Sequence, residues 1–301
     1  MPYPPLRGRF IWHELMTPDS AAGIAFYKKV VGWKTEAWDQ HTTYVMWLGS
    51  RGPVGGVMTL PEEAKLMGAP PHWLPYIGTP DIDGTVRQAA GLGAKIYKDI
   101  ATVPTVGRFA ILADPQGAAF AAFTPETLMP QQDQPAAGEF SWHELATSDP
   151  AGAWHFYQAL FGWEKTEAMD MGPAGVYQMF GWPGLSLGGI YQPPAGMPPN
   201  WLSYAMVPDA IAAAEAVKRA GGQVVKGPMQ VPGGSWITCG IDPQGAMFAV
   251  HSLSMEPGVA KRGERGTGNG KPKKPATKAK KTARKVKKTA KKKGRRPGSQ
   301  R

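Results

Sequence analysis

One cysteine, Cys239, occurs in 301 residues. That scarcity excludes an internal disulfide framework and any zinc site built from several thiolates. Cys239 itself reads as a small buried hydrophobe. No run of about 18 apolar residues is present, so no membrane-spanning helix is predicted. The opening Met1-Pro2-Tyr3-Pro4-Pro5 lacks the apolar core of a secretory signal. No glycine-rich loop stands between a strand pattern and a helix pattern, which removes the usual phosphate cradle for nucleotides. These absences point to a soluble protein of a reducing cytoplasm.

Acidic residues are missing from one end only. Residues 261–301 hold 19 of the 34 lysines and arginines against a single acid, Glu264, leaving 15 basic and 22 acidic residues in the rest. An acidic body thus bears a basic tail, and each needs its own explanation. The tail repeats Lys, Ala, Thr and Pro and has almost no apolar content, so disorder is predicted for 254–301. Lys280, Lys281, Arg284, Lys285, Lys287 and Lys288 are candidate phosphate contacts, giving nucleic-acid binding that is indifferent to base sequence and sensitive to salt. No aromatic residue is interleaved for base stacking.

The body is a duplication. Trp12-His13-Glu14-Leu15 recurs as Trp142-His143-Glu144-Leu145, and Phe26-Tyr27 with Gly32-Trp33 recurs as Phe156-Tyr157 with Gly162-Trp163. Gly55-Gly56 returns as Gly188-Gly189, Trp73, Leu74 and Tyr76 as Trp201, Leu202 and Tyr204, and Asp114-Pro115-Gln116-Gly117-Ala118 as Asp242-Pro243-Gln244-Gly245-Ala246. Two domains are predicted, 8–125 and 138–253, joined by a linker at 126–137. Two copies in one chain are compatible with a monomer, and a homodimer stays open.

Within a copy the apolar period alternates between 2 and 3.6. Residues 9–16 read as a strand. Asp19 caps a helix with the stripe Gly23, Phe26, Tyr27, Val30, ended at Gly32; Asp149 and Pro150 open its twin, with the stripe Ala153, Phe156, Tyr157, Leu160. Strands follow near 33–38, 43–48 and 54–60, then a strand at 73–78, a helix from Asp83 to Leu92, and strands near 95–98, 108–113 and 118–124. The Asp-Pro-Gln-Gly segments fit β-turns that close the last hairpin of each copy. The paired glycines inside strand patterns mark a bulge or a close backbone approach.

Four βαβββ modules, a first helix ending in Phe-Tyr before Gly-Trp, and the closing Asp-Pro-Gln-Gly hairpin together resemble the vicinal-oxygen-chelate superfamily, the glyoxalase, bleomycin-resistance and extradiol-dioxygenase type. The opening and closing motifs resemble tandem-domain glyoxalase-like bacterial proteins, and the tail resembles basic histone-like extensions. The resemblance implies an α+β fold with half-open barrel clefts. It also implies a divalent metal held by His, Glu or Gln, acting as a Lewis acid on neighbouring substrate oxygens. Carried over, the first ligand position falls on Trp12 and Trp142 and the last on Ala121 and Ala249. The fourth-strand position falls near Gly56 to Met58 and near Gly189 to Tyr191. The remaining one falls on Pro75 or Tyr76 and on Ser203 or Tyr204, with His72 too early. No metal and no other cofactor is therefore expected.

Alternation along the first strand puts Trp12, Glu14 and Met16 on the cleft face, with Trp142, Glu144 and Ala146 in the second copy. His13 and His143 then point toward the helices as packed histidines. Trp12, Met16, Trp73, Tyr76, Trp142, Trp201 and Tyr204 are the expected ligand contacts, with Trp47, Met58, Met179 and Tyr191 nearby. Such a lining suits a flat, apolar small molecule. His251 shares the face of Ala249, so Glu14, Glu144 and His251 are the candidate catalytic groups. Three functions remain open: a small-molecule binder without the standard metal site; a lyase, epimerase or dioxygenase-like enzyme; and a nucleoid-associated interaction protein.

Overall fold

The computed structural model describes residues 6–38, 41–128 and 133–253. The basic tail, with Lys280, Lys281, Arg284, Lys285, Lys287 and Lys288, lies outside the described residues.

The first copy runs β1 (Phe10–Thr17), α1 (Ser20–Val30), β2 (Lys34–Trp38), β3 (His41–Gly49), β4 (Gly52–Thr59), the short α2 (Glu62–Leu66), β5 (His72–Gly78), α3 (Ile82–Gly91), β6 (Lys95–Val103), β7 (Gly107–Ala113) and β8 (Ala119–Pro125). The second repeats it as β9 (Phe140–Ala146), α4 (Pro150–Phe161), β10 (Glu164–Asp170), β11 (Val176–Trp182), β12 (Leu185–Tyr191), β13 (Asn200–Met206), α5 (Ala210–Arg219), β14 (Gln223–Gln230), β15 (Trp236–Ile241) and β16 (Met247–Ser252). The helix α2 was not predicted, and β6 runs five residues past its expected end.

Side-chain caps fix where the helices begin. Asp19 accepts from the Ala22 amide and Asp149 from the Gly152 amide, each satisfying an amide that the helix cannot pair itself. Asp81, two residues before the expected start, caps α3 through the Gly84 amide. Gly162 closes α4 in the left-handed region at φ 70°, where a Cβ would be strained.

Each copy forms one open eight-stranded sheet, in the order β2-β3-β4-β1-β5-β8-β7-β6 and β10-β11-β12-β9-β13-β16-β15-β14. Its centre is the first strand, parallel to the fourth of its own module and antiparallel to the first of the next; Glu14 stands opposite both Gly56 and Leu74. One face of each sheet is the cleft. The other faces helices and the second copy.

That second face is a shared core. Leu145, Phe156 and Trp163 of copy two pack with Ile77, Leu112 and Phe120 of copy one. Leu15, Phe26 and Trp47 pack with Val207, Phe248 and Val250. The repeated motifs meet there crosswise. Tyr27 donates to Asp242 and Tyr157 to Asp114, both at 3.1 Å. Trp33 donates to the Gly138 carbonyl at 2.7 Å and Trp163 to that of Gly8 at 2.9 Å.

Candidate functional site

Strand pleating decides what enters the clefts. On β1 the Trp12, Glu14 and Met16 side chains share the cleft face, and Leu74, Tyr76 and Ala121 close around them. Glu14 is only 5% exposed. A carboxylate so placed needs donors. Tyr76 supplies one at 2.8 Å to Oε2, and Tyr44 on β3 is also hydrogen-bonded to Glu14. Tyr44 in turn accepts from Trp12 Nε1 at 2.9 Å.

Copy two repeats this arrangement. Glu144 accepts from Tyr177 at 2.9 Å and Tyr204 at 2.7 Å, one on each oxygen, and Trp142 donates to Tyr177 at 2.7 Å. Burial pushes the Glu14 carboxyl up, and the two tyrosine hydroxyls partly offset that. Burial and the neighbouring carboxylate push the tyrosines Tyr44, Tyr76, Tyr177 and Tyr204 up. They therefore remain protonated donors at neutral pH.

The paired glycines belong to this geometry. A Cβ on Gly56 would lie 2.0 Å from Tyr44 Oη, and one on Gly189 would lie 2.1 Å from the Tyr177 ring. The bare backbone lets each tyrosine lie across the strand and reach its glutamate. On Gly55 and Gly188 a Cβ would strike the His13 and His143 carbonyls at 2.1 and 1.9 Å, which is the close approach expected from the sequence.

A cavity of about 1600 Å³ opens over Glu14, lined by Trp12, Met16, Tyr44, Met58, Phe109 and Phe123 among others. Lys95 and Lys98 also border it, as do Leu66 and Met67 from the end of α2. His72 borders it too, with Nδ1 held 2.7 Å from the Pro70 carbonyl.

Trp73 and Trp201 reach both the cavity and the core. Each indole donates to Tyr27 or Tyr157 at 2.9 Å and packs against the shared core, and both residues also line the cavity. Trp47 is fully buried in that core. His251 meets Ser141 Oγ at 2.9 Å, while both Glu144 oxygens are taken by tyrosines. The structure thus gives these two candidates different partners.

His13 and His143 face the other copy. Their Nε2 atoms lie 2.9 Å apart, and each ring stacks at 3.6 Å on a phenylalanine of the opposite copy, Phe140 or Phe10. His143 Nδ1 lies 3.2 Å from the Leu187 carbonyl, and His13 is hydrogen-bonded to the Val54 backbone. Burial depresses both, His143 to about 3.

Tyr44, Tyr177 and Ser141 were absent from the sequence-based candidates. The first two recur at the 133-residue offset of the glycine pairs, which was the available signal. Ser141 had none.

The donor set does not fit the superfamily's divalent ion. Trp12 and Ala121 stand at the expected ligand positions, Ala121 in register with Tyr76, and Glu14 is bonded to two tyrosine hydroxyls. Among the described residues no three His, Cys, Asp or Glu side chains cluster closely enough to hold a metal.

Comparison with known proteins agrees with this architecture. Residues 12–123 match the glyoxalase-like domain family, and residues 139–250 match the glyoxalase/bleomycin resistance protein/dioxygenase superfamily. The putative glyoxylase CFP32 of Mycobacterium tuberculosis is 37% identical over 127 residues, 42% of this chain and 46% of that protein, so the match spans about half its length. The anthracycline biosynthesis protein DnrV of Streptomyces peucetius is 27% identical over 274 residues, covering 80% of this chain and 92% of the relative. The Mn(II)-bound glyoxalase of Novosphingobium aromaticivorans superposes with a TM-score of 0.56 at 15% identity, covering 87% of this chain and 91% of that one. A variant of homoprotocatechuate 2,3-dioxygenase from B.fuscum gives 0.60 at 16%, covering 87% and 75%. With both halves matched and the two sheets built alike, the chain is a tandem of two domains of the glyoxalase, bleomycin-resistance and dioxygenase superfamily.

Proposed function

We propose that this protein binds a flat, predominantly apolar small molecule in its clefts without a metal at the centre. The observation that carries this is the cavity over Glu14, aromatic and thioether-lined and bordered also by Met197, Trp201 and Met247 of copy two, with the hydrogen-bonded Glu14 carboxylate in its wall. At about 1600 Å³ it exceeds the roughly 300–1,000 Å³ of ordinary ligand sites, which favours a ligand of several fused rings. The alignment with an anthracycline biosynthesis protein over 92% of that relative's length supports a polycyclic aromatic class. The ligand contacts are Trp12, Met16, Trp73 and Tyr76, with Trp142, Trp201 and Tyr204 in copy two.

Thermal-shift screening of planar polycyclic aromatics against the full chain, alongside elemental analysis, tests this. A melting temperature that rises saturably with one ligand class is expected. A stoichiometric transition metal, or no shift across the class, would sink it. An enzyme acting through Glu14, Glu144 and His251 makes the competing forecast that Glu144→Gln abolishes turnover of a bound compound.

A second activity is proposed for the tail on its charge alone, 19 basic residues against one acid in 261–301. Non-specific nucleic-acid binding that weakens steeply with salt is expected. Equal retention on DNA of the full chain and a chain ending at residue 260 would refute it.

A further inference from the structure

The polar centre of each cleft has turned all its hydrogens inward. Trp12 N–H is given to Tyr44 at 2.9 Å, Tyr76 gives its hydroxyl hydrogen to Glu14 at 2.8 Å, and Tyr44 is bonded to the same carboxylate. In copy two, Trp142, Tyr177 and Tyr204 repeat the pattern at 2.7–2.9 Å around Glu144. An indole has one hydrogen to give, a phenol has one hydrogen and two lone pairs, and a carboxylate only accepts. Two hydroxyls that donate to one carboxyl use it as an acceptor on both sides.

What these four groups leave for a ligand is lone pairs alone: one on Tyr44, two on Tyr76 and the spare pairs of the carboxylate. Met16, Met58, Phe109 and Phe123 of the first cleft add no donor, while Lys95, Lys98 and Asn200 are among its other lining residues; the second cleft has the Tyr191 hydroxyl and the Cys239 thiol in the places of Met58 and Ile111.

We propose that the first cleft selects ligands whose buried polar group is a hydrogen-bond donor, a phenolic hydroxyl or a protonated amine on an aromatic frame, and rejects carboxylates and other oxyanions. This rests on the small-molecule-binding reading above. A donor completes the network. An oxyanion would meet lone pairs and a negative charge in an apolar enclosure, where an unmade hydrogen bond is most costly. An acceptor-only centre is the reverse of a metal centre, which gathers oxygen lone pairs.

The test titrates the full chain calorimetrically with four probes on one frame: 2-naphthol, 2-naphthylmethylammonium, 2-methoxynaphthalene and 2-naphthoate. At least one of the first two should bind about tenfold or more tighter than the methoxy compound, as a hydrogen bond to a charged group allows, with naphthoate weakest. The stronger of the two identifies the donor. Glu14→Gln with Glu144→Gln places an amide donor at each centre and should collapse the ranking to within about threefold.

Tyr76→Phe with Tyr204→Phe keeps the rings and frees carboxylate lone pairs, so the preference for donors should persist or grow. This pair guards against misfolding of the glutamine variant. Equal binding of all four probes would overturn the donor rule while leaving small-molecule binding intact. Naphthoate binding as tightly as the ammonium would do the same, reporting the rim lysines Lys95 and Lys98 instead. Saturable binding by none would remove the donor rule, and a blank polycyclic screen beside it would remove small-molecule binding as well.

Discussion

Beneath the Tyr44 hydroxyl lies Gly56, and a methyl group there would sit 2.0 Å from the oxygen. Gly56→Ala should therefore displace Tyr44 from Glu14, at a cost of about 1–3 kcal/mol from overpacking. Tyr44→Ala alone should also destabilise, but the double variant should cost less than the sum of the two, since the clash vanishes with the ring. Additive losses in urea denaturation would refute that account. The cleft face of β1 was legible in the sequence because alternation has only two outcomes. The partners of Glu14 were not, since period 2 says which face a side chain occupies and nothing about which strand meets it there. Trp73, which lines the cavity as Tyr76 does, also gives its indole N–H to Tyr27, a partner that the spacing does not name.

At the level of elements, the crosswise bonds explain why the motifs recur. Asp114 accepts from the amides of Gln116, Gly117 and Ala118 at 2.8–3.0 Å on one oxygen and from Tyr157 of the other copy on the second. Its hairpin is thereby coupled to α4. Asp114→Ala strands three amides and a buried hydroxyl, and a loss of about 3–5 kcal/mol is expected, against about 2 kcal/mol for Tyr157→Phe, which strands one Asp114 oxygen and the Trp201 indole N–H. Equal losses in chemical unfolding would show that the turn amides contribute nothing. The sequence revealed the turn, the caps and the apolar stripes, because each depends on residues a few positions apart. It could not reveal that Phe-Tyr in one copy meets Asp-Pro-Gln-Gly in the other, because equal spacing fits self-contained domains as well as interlocked ones.

Across the whole molecule, the His13–His143 contact links folding to pH. Both histidines are held below the ordinary value near 6.5 by burial, so the folded chain keeps them neutral. As pH falls below about 6.5 the unfolded chain takes up protons that the folded chain refuses, and stability declines by about 1.4 kcal/mol per pH unit for each histidine. For His143 the decline ends near pH 3, where the folded side chain also titrates. Glu14 and Asp114, pushed upward, contribute with the opposite sign, since the folded chain holds their protons to higher pH than the unfolded chain does. Replacing both histidines by phenylalanine should flatten the fall in unfolding free energy between pH 6.5 and 5. An unchanged slope would place the titration elsewhere.

Covalent tandem arrangement also frees the two halves from evolving in step. In an assembly of identical chains any change appears twice, so a new pocket on one side necessarily destroys the old one on the other. Here Met58, Ile111 and Phe123 of the first hollow stand where the second has Tyr191, Cys239 and His251, while the carboxylate and its two phenols persist in both. One half can drift toward a new guest while its neighbour keeps the original.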